Sequence, residues 1–187
     1  MLRPQRFWSD NFMRSQMFTS SRYMVMAFGL IGVGPACQAQ PVDTSTLSNA
    51  IAGVYTLEEW HTDSGVLRPP QVDGRFVLVD GNVLFTLRTG ADANRGTMTT
   101  GVGTYKLAPG LFSYSYDSWA SFTETPSSVT ASHVVPLAGI QQFDASQLGS
   151  QLVLRNAQAA EFVFADGTIR YSVKDKLVRL WRRLQPR

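Results

Sequence analysis

The chain has 187 residues, of which 44% are apolar and 17% are charged. It is therefore long enough for one domain with its own core, and its composition excludes an intrinsically disordered protein. The formal charge of +3 comes from the four arginines and one aspartate before residue 40, because the chain from residue 40 onward carries 13 basic and 13 acidic residues. Such a neutral domain gives no reason to expect a nucleic-acid partner, and we predict none.

Residues 1–39 have the three-part plan of a secretory signal peptide. A basic region precedes an uncharged apolar run over residues 23–36, and small residues follow up to Ala39. A membrane span needs about 20 apolar residues, so we predict cleavage after Ala39, no stable membrane span, and a periplasmic or secreted protein. In the alternative, Cys37 carries a lipid and anchors the protein as a lipoprotein. Cys37 is the only cysteine, which excludes an internal disulfide.

Residues 40–50 are small and polar and predict a linker or a first short turn of helix, which leaves residues 51–187 for the domain. From there, nine or ten short strands follow one another up to residue 183, and no run outside the signal has a helical period. Polar loops are predicted at 89–97 and 118–128. Tight hairpin turns are predicted at three residue pairs: Gly81-Asn82, Asp166-Gly167 and Lys174-Asp175.

Many short strands with short connections predict that neighbours in sequence pair in space. A meander of this length tends to close on itself, because closure removes the exposed strand edges. We therefore predict an all-β domain, an antiparallel up-and-down β-barrel. A two-sheet β-sandwich is the alternative.

Short motifs, in order along the chain, carry a family resemblance. The first strand contains Gly53-Val54-Tyr55 followed by Leu57 and Trp60, residues 103–107 read GTYKL, and residues 177–183 read LVRLWRR. In this combination the chain resembles the bacterial lipocalin-like domain family of calycin-type barrels. The resemblance implies a barrel of lipocalin-like type, and its better-known relatives bind small apolar molecules.

Strand alternation indicates a pocket, because it places Phe112, Tyr114 and Tyr116 on one face of a strand. A small barrel has an interior that side chains fill or that holds one small ligand. We therefore predict a site for a small hydrophobic or amphipathic molecule, with a filled core as the alternative. Nine residues are predicted to line it: Tyr55, Leu57, Phe85, Tyr105, Phe112, Tyr114, Tyr116, Phe164 and Tyr171. Asp117, Trp119 and Glu124 occupy a predicted polar loop, which is either exposed to solvent, the commoner case, or at the edge of a pocket.

Catalysis has one candidate pair. Alternation places His61, one of two histidines, on the same face as Glu59, Leu57 and Tyr55. If that face points inward, Glu59 and His61 form a carboxylate and imidazole pair that can move protons, as in an isomerase or cyclase. If the strand leaves the barrel first, both groups are solvated. Neither this pair nor His133 has the ligand spacing of a metal site, so we predict no metal and no cofactor. A structural or interaction module is the remaining alternative.

The last strand concentrates the basic residues of the domain. Its charges alternate with apolar residues, which predicts a solvated strand face. The family resemblance adds a specific role for one of them: Arg179, Arg182 or Arg183 is expected to pack over the ring of Tyr55.

Overall fold

The computed structural model describes residues 42–90, 96–135 and 139–185, except for the side chains of residues 132–135. The predicted signal segment with Cys37 lies outside the described residues, as do the side chain of His133 and most of the loop predicted at 89–97. The described part of the chain contains one helix and twelve strands. They are α1 Thr44–Ile51, β1 Gly53–Thr62, β2 Gly65–Leu67, β3 Val72–Val79, β4 Asn82–Thr89, β5 Gly96–Ala108, β6 Leu111–Thr125, β7 Ser128–Val135, β8 Gln141–Leu148, β9 Gln151–Arg155, β10 Ala160–Ala165, β11 Thr168–Val173 and β12 Lys176–Arg183.

The strands form a closed antiparallel barrel. Ten of them follow one another around the ring in the order β1-β3-β4-β5-β6-β8-β9-β10-β11-β12, and β12 pairs with β1 to complete it. The short β2 pairs with the end of β1, and β7 pairs with β6. The predicted up-and-down barrel is thus confirmed. The two-sheet sandwich is wrong, because the pairing of the first and last strands joins all strands into one sheet.

Tight turns join successive strands of the meander. Both residues of Asp166-Gly167 and of Lys174-Asp175 have positive φ, as two-residue hairpin turns of type I′ require, which confirms two of the predicted turns. The third turn is displaced by one residue. It consists of Asp80-Gly81, whereas Asn82 already belongs to β4 and pairs with Val79.

Strand β6 is longer than the sequence predicts. Residues 118–125, predicted within a polar loop, continue the strand to Thr125 and pair with β5 on one side and β7 on the other. The loop prediction is therefore wrong. A strand with partners on both edges satisfies its backbone hydrogen bonds whatever its side chains are, so polar composition alone does not end it.

The segment predicted as a linker is the helix α1, which covers one end of the barrel. The carboxylate of Asp43 accepts hydrogen bonds from the backbone N–H groups of Ser45 and Thr46, both at 2.9 Å, and so caps the first turn. Leu47 and Ile51 are fully buried in the core cluster. The segment therefore belongs to the domain. We call the covered end the helix end and the opposite one the far end.

Candidate functional site

All nine residues predicted to line a pocket point into the barrel. Seven of them are buried in a single core cluster, and Tyr114 and Tyr171 are partly buried against it. The alternation of each strand explains this result, because side chains two apart share a face and one face of every barrel strand must be interior.

Aromatic rings fill the helix end and the middle of the barrel. Phe76 on β3 and Phe162 on β10 stack across the interior, with ring centroids 6.3 Å apart and planes 4° from parallel. Phe162 also packs against Phe143 at 5.3 Å, and Phe76 against Trp181 at 5.9 Å. Rings from opposite walls thus meet, so this part of the interior is a packed core rather than an empty pocket.

Toward the far end, the inward side chains keep part of their surface accessible to water. On β1 the fully buried Leu57 is followed by the partly accessible Trp60, and on β11 the fully buried Ile169 is followed by Tyr171. On β12 the buried Trp181 is likewise followed, toward the far end, by the partly accessible Arg179. On β6 the inward Tyr114 and Trp119 are partly accessible, whereas Tyr116 between them is buried. We call the space bordered by these side chains the far-end recess, defined by Trp60, Tyr114, Trp119, Tyr171 and Arg179.

Arg179 is the one charged member of the far-end recess as defined. Its guanidinium carbon lies 5.7 Å from the ring centroid of Trp60 and 5.8 Å from that of Tyr171, within reach of a cation–π interaction with both. Its Nε and Nη2 atoms are inaccessible to water. A cation is therefore held against the aromatic wall inside the barrel.

Three tyrosine hydroxyl groups share the electrostatic environment of this cation. Burial lowers the pKa of Arg179, and interactions with Tyr171, Tyr116 and Tyr114 oppose that effect. Burial raises the pKa of all three tyrosines, for Tyr114 well above its usual value, while the charge of Arg179 acts to lower them. At neutral pH the recess therefore offers a positive guanidinium and the neutral hydroxyl groups of Tyr114 and Tyr171, which can donate or accept hydrogen bonds.

The sequence prediction missed Arg179, because it assigned the basic residues of the last strand to a solvated face. That prediction holds for Arg182, which is exposed and binds Glu58 on the outer surface. Alternation places Arg179 and Arg183 on the face of the buried Trp181, and both point inward. The signal was present in the spacing, since the residues two before and two after an inward tryptophan share its face.

A bulge decides the direction of Glu59 and His61. Leu57 points inward, but the register of β1 shifts at Glu58, so that Trp60 is the next inward residue. The prediction that His61 and Glu59 share the face of Leu57 is therefore wrong. An extra residue in one strand moves every later side chain to the opposite face.

The predicted contact between Glu59 and His61 does form, but on the outer surface. Nε2 of His61 lies 2.8 Å from the Glu59 carboxylate, and Nη2 of Arg68 donates to the same carboxylate at 2.5 Å. Hydrogen bonds from His61 and then Arg68 lower the pKa of Glu59. The three side chains form a surface ion-pair cluster, outside the far-end recess.

A second bulge explains why Trp119 was misplaced in a loop. The pairing of β5 with β6 shifts at Asp117, so Tyr116 and Trp119 both point inward, opposite Gly103 and Gly101. Trp119 packs against Phe85 at 4.9 Å and against Tyr116 at 5.4 Å. A side chain at Gly101 would meet those rings, with a Cβ 2.9 Å from Tyr116 and 3.1 Å from Phe85.

At the helix end, Arg183 joins the last strand to the first. Its guanidinium carbon lies 5.3 Å from the ring centroid of Tyr55, and its Nη2 donates to the Tyr55 hydroxyl at 2.8 Å and to the carbonyl of Ala50 at 2.7 Å. The Tyr55 hydroxyl donates in turn to the carbonyl of Ile51 at 2.9 Å. The expected packing of an arginine over Tyr55 is thus confirmed, with Arg183 as the residue.

A cavity of about 210 Å³ lies at the helix end, bordered by α1 and the turns that follow β8 and β10. Polar side chains such as Asn49 and Gln147 border it together with Arg183, whereas only Tyr55 and Phe164 of the nine predicted pocket residues do so. This cleft therefore differs in place and polarity from the predicted apolar pocket.

Neither metal-site geometry, membrane-spanning helices nor similarity to known proteins assigns a function to this chain. Within residues 42–90, 96–135 and 139–185, no cluster of three or more His, Cys, Asp or Glu side chains is arranged to hold a metal ion. Over the same residues, no helix combines the length and the apolar character needed to cross a membrane. No family model, no curated protein and no solved structure matches the chain.

Proposed function

We propose that this protein binds a small hydrophobic or amphipathic molecule in the far-end recess of its barrel. Membership of the bacterial lipocalin-like family and export to the periplasm or beyond belong to the same proposal. The binding site lies in the part of the interior nearest the far end, above the aromatic core, and takes in only part of the predicted lining.

The accessible surface of the inward residues carries the proposal. A filled core excludes water from all inward side chains, as it does for Tyr55 and Leu57, each 1% exposed. The inward residues Trp60, Tyr171 and Val173 instead remain partly accessible. Partly accessible apolar surface inside a barrel favours an apolar ligand, because binding removes that surface from water.

The recess also combines the group types that ligand sites use. Aromatic faces from β1, β6 and β11 supply apolar contact area, and tyrosine hydroxyls near them supply a few polar groups. Sites for small molecules are typically lined in this way, mostly by apolar and aromatic side chains with a small number of orienting polar groups. The surface cluster of Glu59 and His61 contributes nothing to this arrangement.

Filling the recess tests the proposal. Val173 points inward on β11, two residues beyond Tyr171, so Val173→Trp places a large ring in the recess. Val102 is 48% exposed on β5, and Val102→Trp is the matched control. We expect nile red, a neutral probe that fluoresces in apolar surroundings, to bind the wild type and Val102→Trp equally and Val173→Trp about ten-fold more weakly or worse.

Dodecanol should displace nile red from the wild type, because both molecules are expected to occupy the same site. Circular dichroism and thermal melting establish that both variants are folded. A folded Val173→Trp variant that binds nile red as tightly as the wild type would place binding elsewhere and contradict the proposal. Absence of binding to the wild type would contradict it as well.

A further inference from the structure

We infer that Arg179 makes the far-end recess selective for amphipathic molecules with a carboxylate head group, an inference that depends on the proposed function.

The first step is the position of the side chain. Arg179 pairs with Trp60 of β1 and with Tyr171 of β11, and its guanidinium lies close to the rings of both. Directly paired residues in antiparallel strands point to the same face, so these three side chains enter the barrel side by side. Cation–π contact with two rings limits the directions that the guanidinium can take.

The second step is the reach of the charge across the barrel. Strands β12 and β6 lie on opposite walls of the ring. Nevertheless, the charge of Arg179 acts on Tyr114 and Tyr116 of β6 as well as on its neighbour Tyr171. The contacts of the guanidinium with the rings of Trp60 and Tyr171 place it on the interior side of β12, which faces β6.

The third step is the chemistry of the group. A guanidinium remains charged at neutral pH, and its N–H groups donate hydrogen bonds to a carboxylate. Ionic hydrogen bonds of this kind are stronger than neutral ones, and a low-dielectric interior strengthens the attraction between the charges. Tyrosine hydroxyls nearby can donate to the same head group.

Aromatic rings also lie where the apolar part of a bound ligand would be. Beneath the guanidinium, Tyr171 packs on Phe162 at 4.7 Å, and across the barrel Trp119 packs on Phe85 at 4.9 Å. A head group at Arg179 would leave the rest of an amphipathic molecule against these rings. The recess thus places one cation beside an aromatic wall, which matches a molecule with one anionic end and an apolar body.

Ligands that share a chain and differ in head group test the inference. Dodecanoate, dodecanol and dodecylamine are titrated at concentrations below micelle formation, with displacement of nile red as the signal. We expect dodecanoate to bind the wild type about ten-fold more tightly than dodecanol, and dodecylamine to bind most weakly. In Arg179→Gln the preference for dodecanoate should disappear while dodecanol binding is retained, and Arg179→Lys should keep part of it.

Arg182→Gln is the matched control, because Arg182 lies on the same strand but faces outward to Glu58. It should leave the preference unchanged. If the wild type binds dodecanoate and dodecanol equally, the inference is wrong while the proposed function stands. If it binds none of the three ligands, both are wrong. The comparison within the wild type needs no variant, so a failure of Arg179→Gln to fold does not affect it.

Discussion

Arg179 and Arg183 lie on the same face of β12, on either side of the buried Trp181, yet the two ends of the barrel use them differently. At the helix end, Arg183 donates to the hydroxyl of Tyr55 and to the carbonyl of Ala50, and so fastens the last strand to the first strand and to α1. At the far end, Arg179 stands among Trp60 and the tyrosines of the recess.

The difference follows from what covers each end. Helix α1 supplies backbone carbonyl groups and buried apolar side chains, so the guanidinium at that end is used for structure. The inward side chains near the far end keep accessible surface, and the guanidinium there lies beside a water-accessible space. One strand can thus place the same group in a structural role and, under our proposal, in a binding role four residues apart.

The largest expected difference between the two regions is in packing. Trp181 is 3% exposed and packs on Phe76, so Trp181→Ala should lower the free energy of unfolding by about 3–5 kcal/mol. Trp119→Ala should cost roughly half as much, because less of its surface is withdrawn from water in the folded state. Urea unfolding followed by circular dichroism measures both. Equal losses would mean that the far end is packed as tightly as the core.

A smaller effect distinguishes inward from outward arginines. Arg183→Gln removes the hydrogen bonds to Tyr55 and Ala50 and should lower the free energy of unfolding by about 1–3 kcal/mol. Arg182→Gln breaks an exposed ion pair with Glu58 and should change stability little. The same urea experiment compares the two variants. A loss in Arg182→Gln as large as that in Arg183→Gln would contradict the structural role of Arg183.

The smallest effect concerns the cap of the helix that covers the helix end. Hydrogen bonds, first of all from the Ser45 hydroxyl and then from Thr46, lower the pKa of Asp43 below its ordinary value of 3.8. The unfolded chain therefore takes up this proton more readily than the folded one. The contribution of Asp43 to stability is complete above that ordinary value and is lost as pH falls through the lowered pKa.

Asp43→Asn tests this pH dependence, because asparagine caps helices about as well as aspartate but does not titrate. At neutral pH the two proteins should have similar urea midpoints. As pH falls below 3.8 the wild type should lose more stability than the variant, as measured by urea midpoints at a series of pH values. An identical decline in both proteins would show that Asp43 does not contribute to acid sensitivity.

Much of the fold could be predicted because period-two alternation and turn chemistry are local properties. The hairpins at Asp166-Gly167 and Lys174-Asp175 follow from residues that tolerate positive φ. The inward direction of residues such as Tyr55 follows from alternation up to the first bulge. Polar composition predicted a loop at residues 118–125, but these residues continue β6 because partner strands on both edges satisfy their backbone hydrogen bonds. Polar composition also failed to predict the full helix Thr44–Ile51, which is capped by Asp43 and buries Leu47 and Ile51 in the core.

By itself, the sequence determined the series of strands and the aromatic face of each, since both depend on neighbours in the chain. It favoured closure into a barrel over a sandwich, but the pairing of β1 with β12, from opposite ends of the domain, decided between them. Tertiary structure decided which charges enter the barrel. The bulges at Glu58 and Asp117 turned His61 outward and Trp119 inward, and pairing with β1 set Arg179 beside Trp60. A bulge depends on the register of the partner strand, which lies far along the chain, so no local pattern announces it.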